Sequence, residues 1–156
     1  MIYVFLAQGF EEVEALEKIS GRADCPILIA EDSALLGKMI ITCLEQAGYT
    51  NITMTTNGQE AWDKLNEYKS EGTLDQKVKL LITDIEMPQM DGHRLTKLVK
   101  DSSVFSHIPV VIFSSMVNEE MRRKGEALGA DAQLSKPEIG HLVEAIVEAI
   151  DKILCQ

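Results

Sequence analysis

Five short runs of aliphatic and β-branched residues, each followed by a stretch with helical spacing, limit the fold of this chain more than any other feature. Runs of this length and composition are typical of parallel strands that are buried on both faces of a sheet. Strict alternation of strand and helix predicts an α/β fold of the (βα)5 type, a doubly wound parallel sheet with helices on both faces and right-handed crossovers. The predicted strands are Ile27–Ala30, Ile52–Thr56, Leu80–Thr83, Pro109–Ser115 and Ala132–Leu134.

The helical stretches are recognised by apolar residues that recur every three or four positions. Such residues, Met39 among them, extend from Leu36 to Ala47, and Gly48 follows at the usual position for ending a helix. By contrast, the polar stretch Lys69–Lys77 lacks this spacing, and we expect it to be a surface loop.

Residues 1–24 do not fit into the five units. The letters MIYVFLA indicate a strand, FEEVEALEKI a short helix, and SGRADCP a linker. The sequence therefore predicts an N-terminal extension, 1–24, that adds an extra βα segment to a domain comprising 25–156. An apolar strand needs a partner, either a sheet edge or a second chain. The oligomeric state stays open, with a dimer through this strand as one alternative.

Charge and cysteine usage exclude several classes of protein. The 156 residues carry a formal net charge of -10, so the chain offers no basic surface for nucleic acid or for an anionic membrane. The opening apolar stretch has no basic flank and is too short for a signal peptide or a membrane span. Three cysteines without CxxC spacing indicate reduced thiols, and together these features predict a cytoplasmic protein.

Polar side chains follow four of the five predicted strands. In doubly wound sheets, ligands bind beyond the carboxyl ends of the strands, so these side chains should meet at one edge. Crowded carboxylates repel each other, and a divalent cation relieves that repulsion; Mg²⁺ suits a site made of hard oxygen ligands. The group comprises Glu31, Asp32, Asp84, Ser114 and Lys136.

This set of groups predicts phosphoryl transfer to a carboxylate, with Asp84 as the nucleophile. Lys136 would pair with Asp84 in the empty site and with a phosphoryl oxygen in the filled one, while a strand-end hydroxyl donates to another oxygen. Pro88 keeps a helix from starting directly after the strand, so that the loop can direct the backbone carbonyl of Glu86 toward the metal. Gly92 then allows a tight entry into the helix.

Four motifs in order carry a family resemblance: ILIAEDS, LLITDIEMPQMDG, IPVVIFSS and GADAQLSKP. From about Cys25 to the C-terminus, the chain resembles a response-regulator receiver domain, which has a flavodoxin-like fold with sheet order 2-1-3-4-5. The resemblance implies Mg²⁺ as cofactor, a histidine kinase as partner, and a signalling protein that catalyses only its own phosphorylation and dephosphorylation. It implies Glu31 and Asp32 as metal-site acids, Asp84 as phosphoacceptor, Ser114 as switch hydroxyl and Lys136 as phosphate-pairing cation.

Two finer resemblances concern the ends of the chain. ADAQLSKPEI and FSSM are similar to the receiver of CheV-type chemotaxis coupling proteins, which implies a chemotaxis kinase, although the sequence shows no counterpart of their adaptor domain. YVFLAQGFEEVEAL is similar to the start of DJ-1/PfpI-like proteins, in which Glu14 would support a reactive cysteine. No matching cysteine follows, so we expect no catalysis there. Gln133 departs from the receiver pattern, which often has an aromatic residue three positions before the lysine.

Other interpretations of the strand-end acids remain open. Asp84-Ile85-Glu86 also resembles the start of haloacid-dehalogenase phosphatases, although their nucleophile follows the first strand of the domain. A flavodoxin-like nucleotide binder would need small donors where this chain has AEDS, and a receiver-like interaction module without phosphotransfer is a third alternative. The three histidines are scattered, and we expect all of them at the surface: His93, His107 and His141.

Overall fold

One parallel sheet of five strands organises the part of the chain that this computed structural model describes, residues 21–115, 118–136 and 139–154. The strand order is β2-β1-β3-β4-β5, which confirms the predicted doubly wound fold. The predicted N-terminal strand lies outside the described residues. The strands are β1 (Ile27–Ala30), β2 (Ile52–Thr55), β3 (Leu80–Thr83), β4 (Val110–Ser114) and β5 (Ala132–Ser135).

Six helices connect and cover these strands within the described ranges. Four of them begin after a residue whose side-chain oxygen accepts a hydrogen bond from a backbone N–H three positions on, which satisfies one of the free donors of the first turn. None of the helices in these ranges is long and apolar enough to cross a bilayer. They are α1 (Ala34–Gln46), α2 (Gly58–Glu71), α3 (Leu74–Lys77), α4 (Gly92–Asp101), α5 (Glu119–Ala127) and α6 (Ile139–Leu154).

The prediction of a surface loop over Lys69–Lys77 is wrong. Helix α2 continues to Glu71 and ends at Gly72, whose φ of 71° is favourable for glycine. The short helix α3 follows, and its buried Leu74 packs into the core. One buried apolar residue is enough to hold this turn against the domain. Because a single residue produces no periodic pattern, the sequence gives no sign of this helix.

Two aliphatic cores lie on opposite faces of the sheet. Successive strand residues point to opposite faces, so Leu28 packs with α2 and α4, whereas Ile27 and Ile29 pack with α1 and α6. On the first face, the rings of Trp62 and Phe105 meet edge to face with centroids 5.3 Å apart. Each fully buried aliphatic side chain stabilises the fold by roughly 1.5–3 kcal/mol. The strands are therefore rigid supports for whatever follows them.

His93 is buried, with only 3% of its surface exposed, so the prediction of a surface histidine is wrong at this position. The residue lies in the first turn of α4, and its Nε2 has no hydrogen-bond partner among the described residues. Burial lowers the pKa of the imidazole, and the nearby Lys124 lowers it further, against a smaller opposite effect of Asp91. The folded protein therefore holds His93 in its neutral form.

We expect the contribution of His93 to the free energy of unfolding to fall as the pH drops through about 6.5, the ordinary pKa of a histidine in an unfolded chain. The unfolded chain binds a proton there and the folded one resists it, so acid favours unfolding. Urea denaturation over this pH range should show that wild type loses stability on acidification relative to His93→Leu, which lacks this contribution. The exposed His141→Gln variant is the control and should keep the wild-type dependence. A pH dependence of stability that is the same in His93→Leu as in wild type would contradict the assignment of His93 as a buried, neutral histidine.

Candidate functional site

Two buried carboxylates and an exposed one meet at the carboxyl ends of the central strands. Glu31 follows β1 and Asp84 follows β3, and these strands are paired, so the two acids lie side by side. Glu31 is 3% exposed and Asp84 5%, whereas Asp32 lies at the surface. One carboxylate oxygen from each of the three lies within 4.8 Å of the others. The structure thus brings together the three acids that the sequence analysis selected.

Lys136 extends from the end of β5 into this group of acids. Its Nζ lies 2.9 Å from Asp84 Oδ2, and 3.2 Å and 3.3 Å from the two carboxylate oxygens of Glu31. Burial disfavours the charged lysine, but the hydrogen bond to Asp84 and the attraction of both acids outweigh it and raise the pKa of the amine. Lys136 is therefore charged, and it supplies one positive charge to three acids.

Glu31 shows that this compensation is incomplete. Burial and the repulsion from Asp84 raise the pKa of its carboxyl to about 7, although the Ser33 N–H donates to Glu31 Oε1 and Lys136 lies close. Glu31 Oε2 is buried and accepts no hydrogen bond from the described residues, although the ion pair with Lys136 brings Nζ to 3.2 Å from it. A cation near these oxygens would remove the repulsion. The donor set, three carboxylates in one pocket, fits a hard divalent ion.

Backbone groups that the sequence analysis did not identify hold Asp84 in place. The Ile85 N–H donates to Asp84 Oδ1 over 2.7 Å. The Thr83 hydroxyl donates to the carbonyl oxygen of Asp84, and the Asp84 N–H donates to Ala30 on β1. The backbone of Asp84 is thereby held at its N–H and at its carbonyl, and one carboxylate oxygen is held by the Ile85 N–H. No sequence pattern marks such contacts, because every residue carries the same backbone groups.

The loop from Asp84 to Asp91 is shaped by close backbone contacts at two glycines. A Cβ at Gly92 would overlap the carbonyl oxygen of Asp84, and one at Gly58, the first residue of α2, would overlap that of Met90. Gly92 is not among the residues with positive φ. The tight entry into α4 that the sequence analysis predicted at Gly92 thus depends on close packing against the Asp84 carbonyl oxygen, which only glycine permits.

The remaining predicted site residues lie at the same edge of the sheet. Ser114 is buried at the end of β4 and is in register with Ser135, the residue before Lys136. Glu86 is exposed in the loop after Asp84, and its role as a carbonyl ligand stays a prediction. Their positions are compatible with the predicted roles.

Gln133, in the middle of β5, fills a space against α5. Its Nε2 donates to the carbonyl oxygen of Arg122 over 2.9 Å, and its side chain lies where a Cβ of Gly125 would be. Its Oε1 is buried without a hydrogen-bond partner among the described residues. The side chain that replaces the expected aromatic residue is therefore attached to α5 by one hydrogen bond.

Comparisons with known proteins agree with this geometry. The sequence model described as the response regulator receiver domain matches residues 27–147. The chain is 35% identical over 130 residues to the gliding motility regulatory protein of Myxococcus xanthus, which covers 83% of this chain and 14% of that protein. It is 34% identical over 134 residues to chemotaxis protein CheV3 of Helicobacter pylori. This aligned region covers 84% of this chain and 42% of that protein. The chain thus spans less than half the length of either relative.

Solved structures lead to the same family. The signal receiver domain of a signal transduction histidine kinase from Syntrophus aciditrophicus matches with a TM-score of 0.71 and 26% identity, over 83% of this chain and 92% of that one. Both the family match and this structural match are consistent with the strand order and with the acids at the strand ends. The chain belongs to the response regulator receiver domain family of two-component phosphorelay signalling.

Proposed function

We propose that Asp84 accepts a phosphoryl group from a histidine kinase and that the domain then changes its contacts with other proteins. The observation that carries the proposal is the pair of buried carboxylates, Glu31 and Asp84, with Lys136 Nζ 2.9 Å from Asp84 Oδ2. The CheV3 relative is a chemotaxis protein, which supports chemotaxis as the pathway and a chemotaxis kinase as the donor. A cytoplasmic location is part of the same proposal.

In the proposed reaction, a carboxylate oxygen of Asp84 bonds to phosphorus as the bond to the donor's leaving atom breaks, and that electron pair leaves with the donor. Asp84 is fixed by the Ile85 N–H, so its approach to the phosphorus needs little rearrangement. Lys136 then moves its hydrogen bond from Asp84 to a phosphoryl oxygen, and the Ser114 hydroxyl donates to another. The chain acts on no other substrate, and hydrolysis of the acyl phosphate on Asp84 ends the signal.

The carboxylates of Glu31, Asp32 and Asp84 would hold Mg²⁺, together with the backbone carbonyl of Glu86. When bound, the ion neutralises negative charge where the phosphoryl group meets the carboxylate. Glu31 Oε2, which accepts no hydrogen bond from the described residues, and the raised pKa of Glu31 support a second cation beside Lys136 at this place. The extension 1–24 contributes none of these groups, and we treat it as separate from the receiver, 25–156.

The structure gives no support to the phosphatase alternative over the receiver. Asp84 follows β3, and the acids beside it come from the end of β1, whereas the phosphatase pattern places its nucleophile after the first strand of the domain.

The proposed output surface comprises α5, β5 and α6. Phosphorylation would draw Ser114 toward the site, and the hydrogen bond between Gln133 and Arg122 links β5 to α5 in place of an aromatic switch.

We expect the wild-type chain to gain the mass of one phosphoryl group when it is incubated with acetyl phosphate and Mg²⁺. Without a divalent ion, the repulsion between phosphodonor and acids dominates, because Lys136 offers the pocket one positive charge. Intact-mass spectrometry with and without a chelator measures the gain in mass and its dependence on the divalent ion. Labelling that is insensitive to the chelator would contradict the proposed metal site. No labelling in either condition would favour an interaction module without phosphotransfer.

A further inference from the structure

Helix α5 has less apolar support than its neighbours in the described structure. Of its nine residues Gly125 alone is buried, and no residue of α5 belongs to the aliphatic core on either face of the sheet. The adjacent helix α4 buries five residues, Leu95 and Val99 among them. Helices in proteins are stabilised mainly by packing an apolar face, and segments with few buried apolar contacts open locally at low cost. A different kind of contact therefore holds α5 on the sheet.

The side chain of Gln133 on β5 provides this contact. Its Nε2 donates to the carbonyl oxygen of Arg122 over 2.9 Å. A Cβ at Gly125 would overlap Gln133 Oε1 and would lie 2.6 Å from Cδ and 2.8 Å from Nε2. The terminal amide of Gln133 thus occupies the place that a side chain at position 125 would need. The contact depends on two features of α5, a backbone carbonyl and a glycine.

Two buried polar atoms that have no hydrogen-bond partner among the described residues lie near α5. One is Gln133 Oε1. The other is His93 Nε2 at the start of α4, and His93 is close enough to Lys124 on α5 for this amine to lower the pKa of the imidazole. Leaving such atoms buried costs free energy, which water recovers when the helix moves away. These atoms favour the opening of α5, and the contact of Gln133 opposes it.

We propose that Gln133 and Gly125 form a latch for α5, and that release of this latch lets α5 open from the sheet as a unit while the rest of the domain stays folded. Because α5 is part of the proposed output surface, the fraction of molecules with α5 open determines which surface a partner protein meets. The latch is thus a conformational device specific to this pair of residues.

The position of Gln133 links this device to the acidic pocket. Ile112 is paired with Gln133, and Ser114 is paired with Ser135, so Ser114 and Gln133 point to the same face of the sheet. In the proposed function, movement of Ser114 would change the fraction of open α5, and this link rests on that function. The latch itself requires no phosphoryl group. It is therefore tested in the unmodified protein, where failure of phosphorylation does not affect the result.

Hydrogen exchange of the backbone amides of residues 122–124, followed by NMR in the full chain, measures the opening of α5. We expect these amides to exchange about three- to tenfold faster in Gln133→Ala than in wild type, the factor that corresponds to one hydrogen bond. Amides of α4 should keep their rates, because only α5 opens. Gln59→Ala, which removes a glutamine hydrogen bond to Asp63 on α2, is the matched control and should leave the exchange of α5 unchanged.

Gly125→Ala distinguishes a latch from a helix that is merely weak. Alanine is the better helix former, so in the Gln133→Ala background this change should slow the exchange of α5 about fourfold. In the wild-type background the new methyl group displaces the amide of Gln133, and loss of the latch should cancel that gain. Equal slowing in both backgrounds would overturn the proposal. An unchanged α5 in Gln133→Ala, or an equal acceleration of α4, would also overturn it.

Discussion

The Asp84→Asn variant is expected to fold like wild type and to take up no phosphoryl group from acetyl phosphate. Asparagine keeps the shape of the side chain and its contact with the Ile85 N–H, but its amide is not a nucleophile. The change also removes the repulsion that raises the pKa of Glu31, which offsets the weaker contact with Lys136. We therefore expect a free energy of unfolding within about 1 kcal/mol of wild type.

Intact-mass spectrometry and urea denaturation test the two halves of this prediction separately. Asp63→Asn, an exposed change on α2, is the matched control and should be labelled like wild type. Uptake of phosphoryl by Asp84→Asn at the wild-type rate would show that another group is the acceptor. The proposed covalent step would then be wrong, while the family assignment would stand.

The Gly92→Ala variant is expected to lose about 3 kcal/mol of stability, since a close-packed backbone must move to admit the methyl group. The new Cβ would overlap the carbonyl oxygen of Asp84 and lie 2.8 Å from its carbonyl carbon and 3.1 Å from the Cα of Ile85. These are backbone atoms next to the proposed acceptor, so the clash also displaces the carboxylate. We expect slower phosphoryl labelling of the fraction that remains folded.

Gly140→Ala is the matched control for this change, because a Cβ there meets no described atom within 4 Å. Alanine is the better helix former, so this variant should be unchanged or slightly more stable. Urea denaturation of the two variants and of wild type gives the free energies of unfolding that test this difference. A Gly92→Ala protein as stable as wild type would mean that the loop from Asp84 to Asp91 yields more easily than its packing indicates.

Much of the site is predictable because a parallel sheet brings the carboxyl ends of its strands together. Once the aliphatic runs are recognised, the convergence of Glu31, Asp84 and Lys136 follows from strand order and needs no side-chain detail. The aliphatic cores on the two faces follow from the same runs. The incomplete charge compensation follows as well, since three acids face one lysine.

The features that sequence reasoning missed depend on distances between segments that are far apart in the chain. His93 is buried because the first turn of α4 packs against the domain, whereas the apolar residues that mark this helix in the sequence, Leu95 and Val99, come later in it. Gln133 lies against Gly125, a contact that neither residue reveals alone. Met39 fits the apolar spacing of α1, but it is 45% exposed and does not belong to the core.

The crowded acids at the ends of β1 and β3 also bear on how this protein can be engineered. Glu31 and Asp84 repel each other in a buried place, so this pair is locally frustrated within an otherwise consistent fold. Neutralising one of them removes this repulsion at little cost in stability, so random libraries selected for thermal stability alone would not retain both acids. Stabilised descendants are therefore expected to lose signalling first, unless selection retains it at every round.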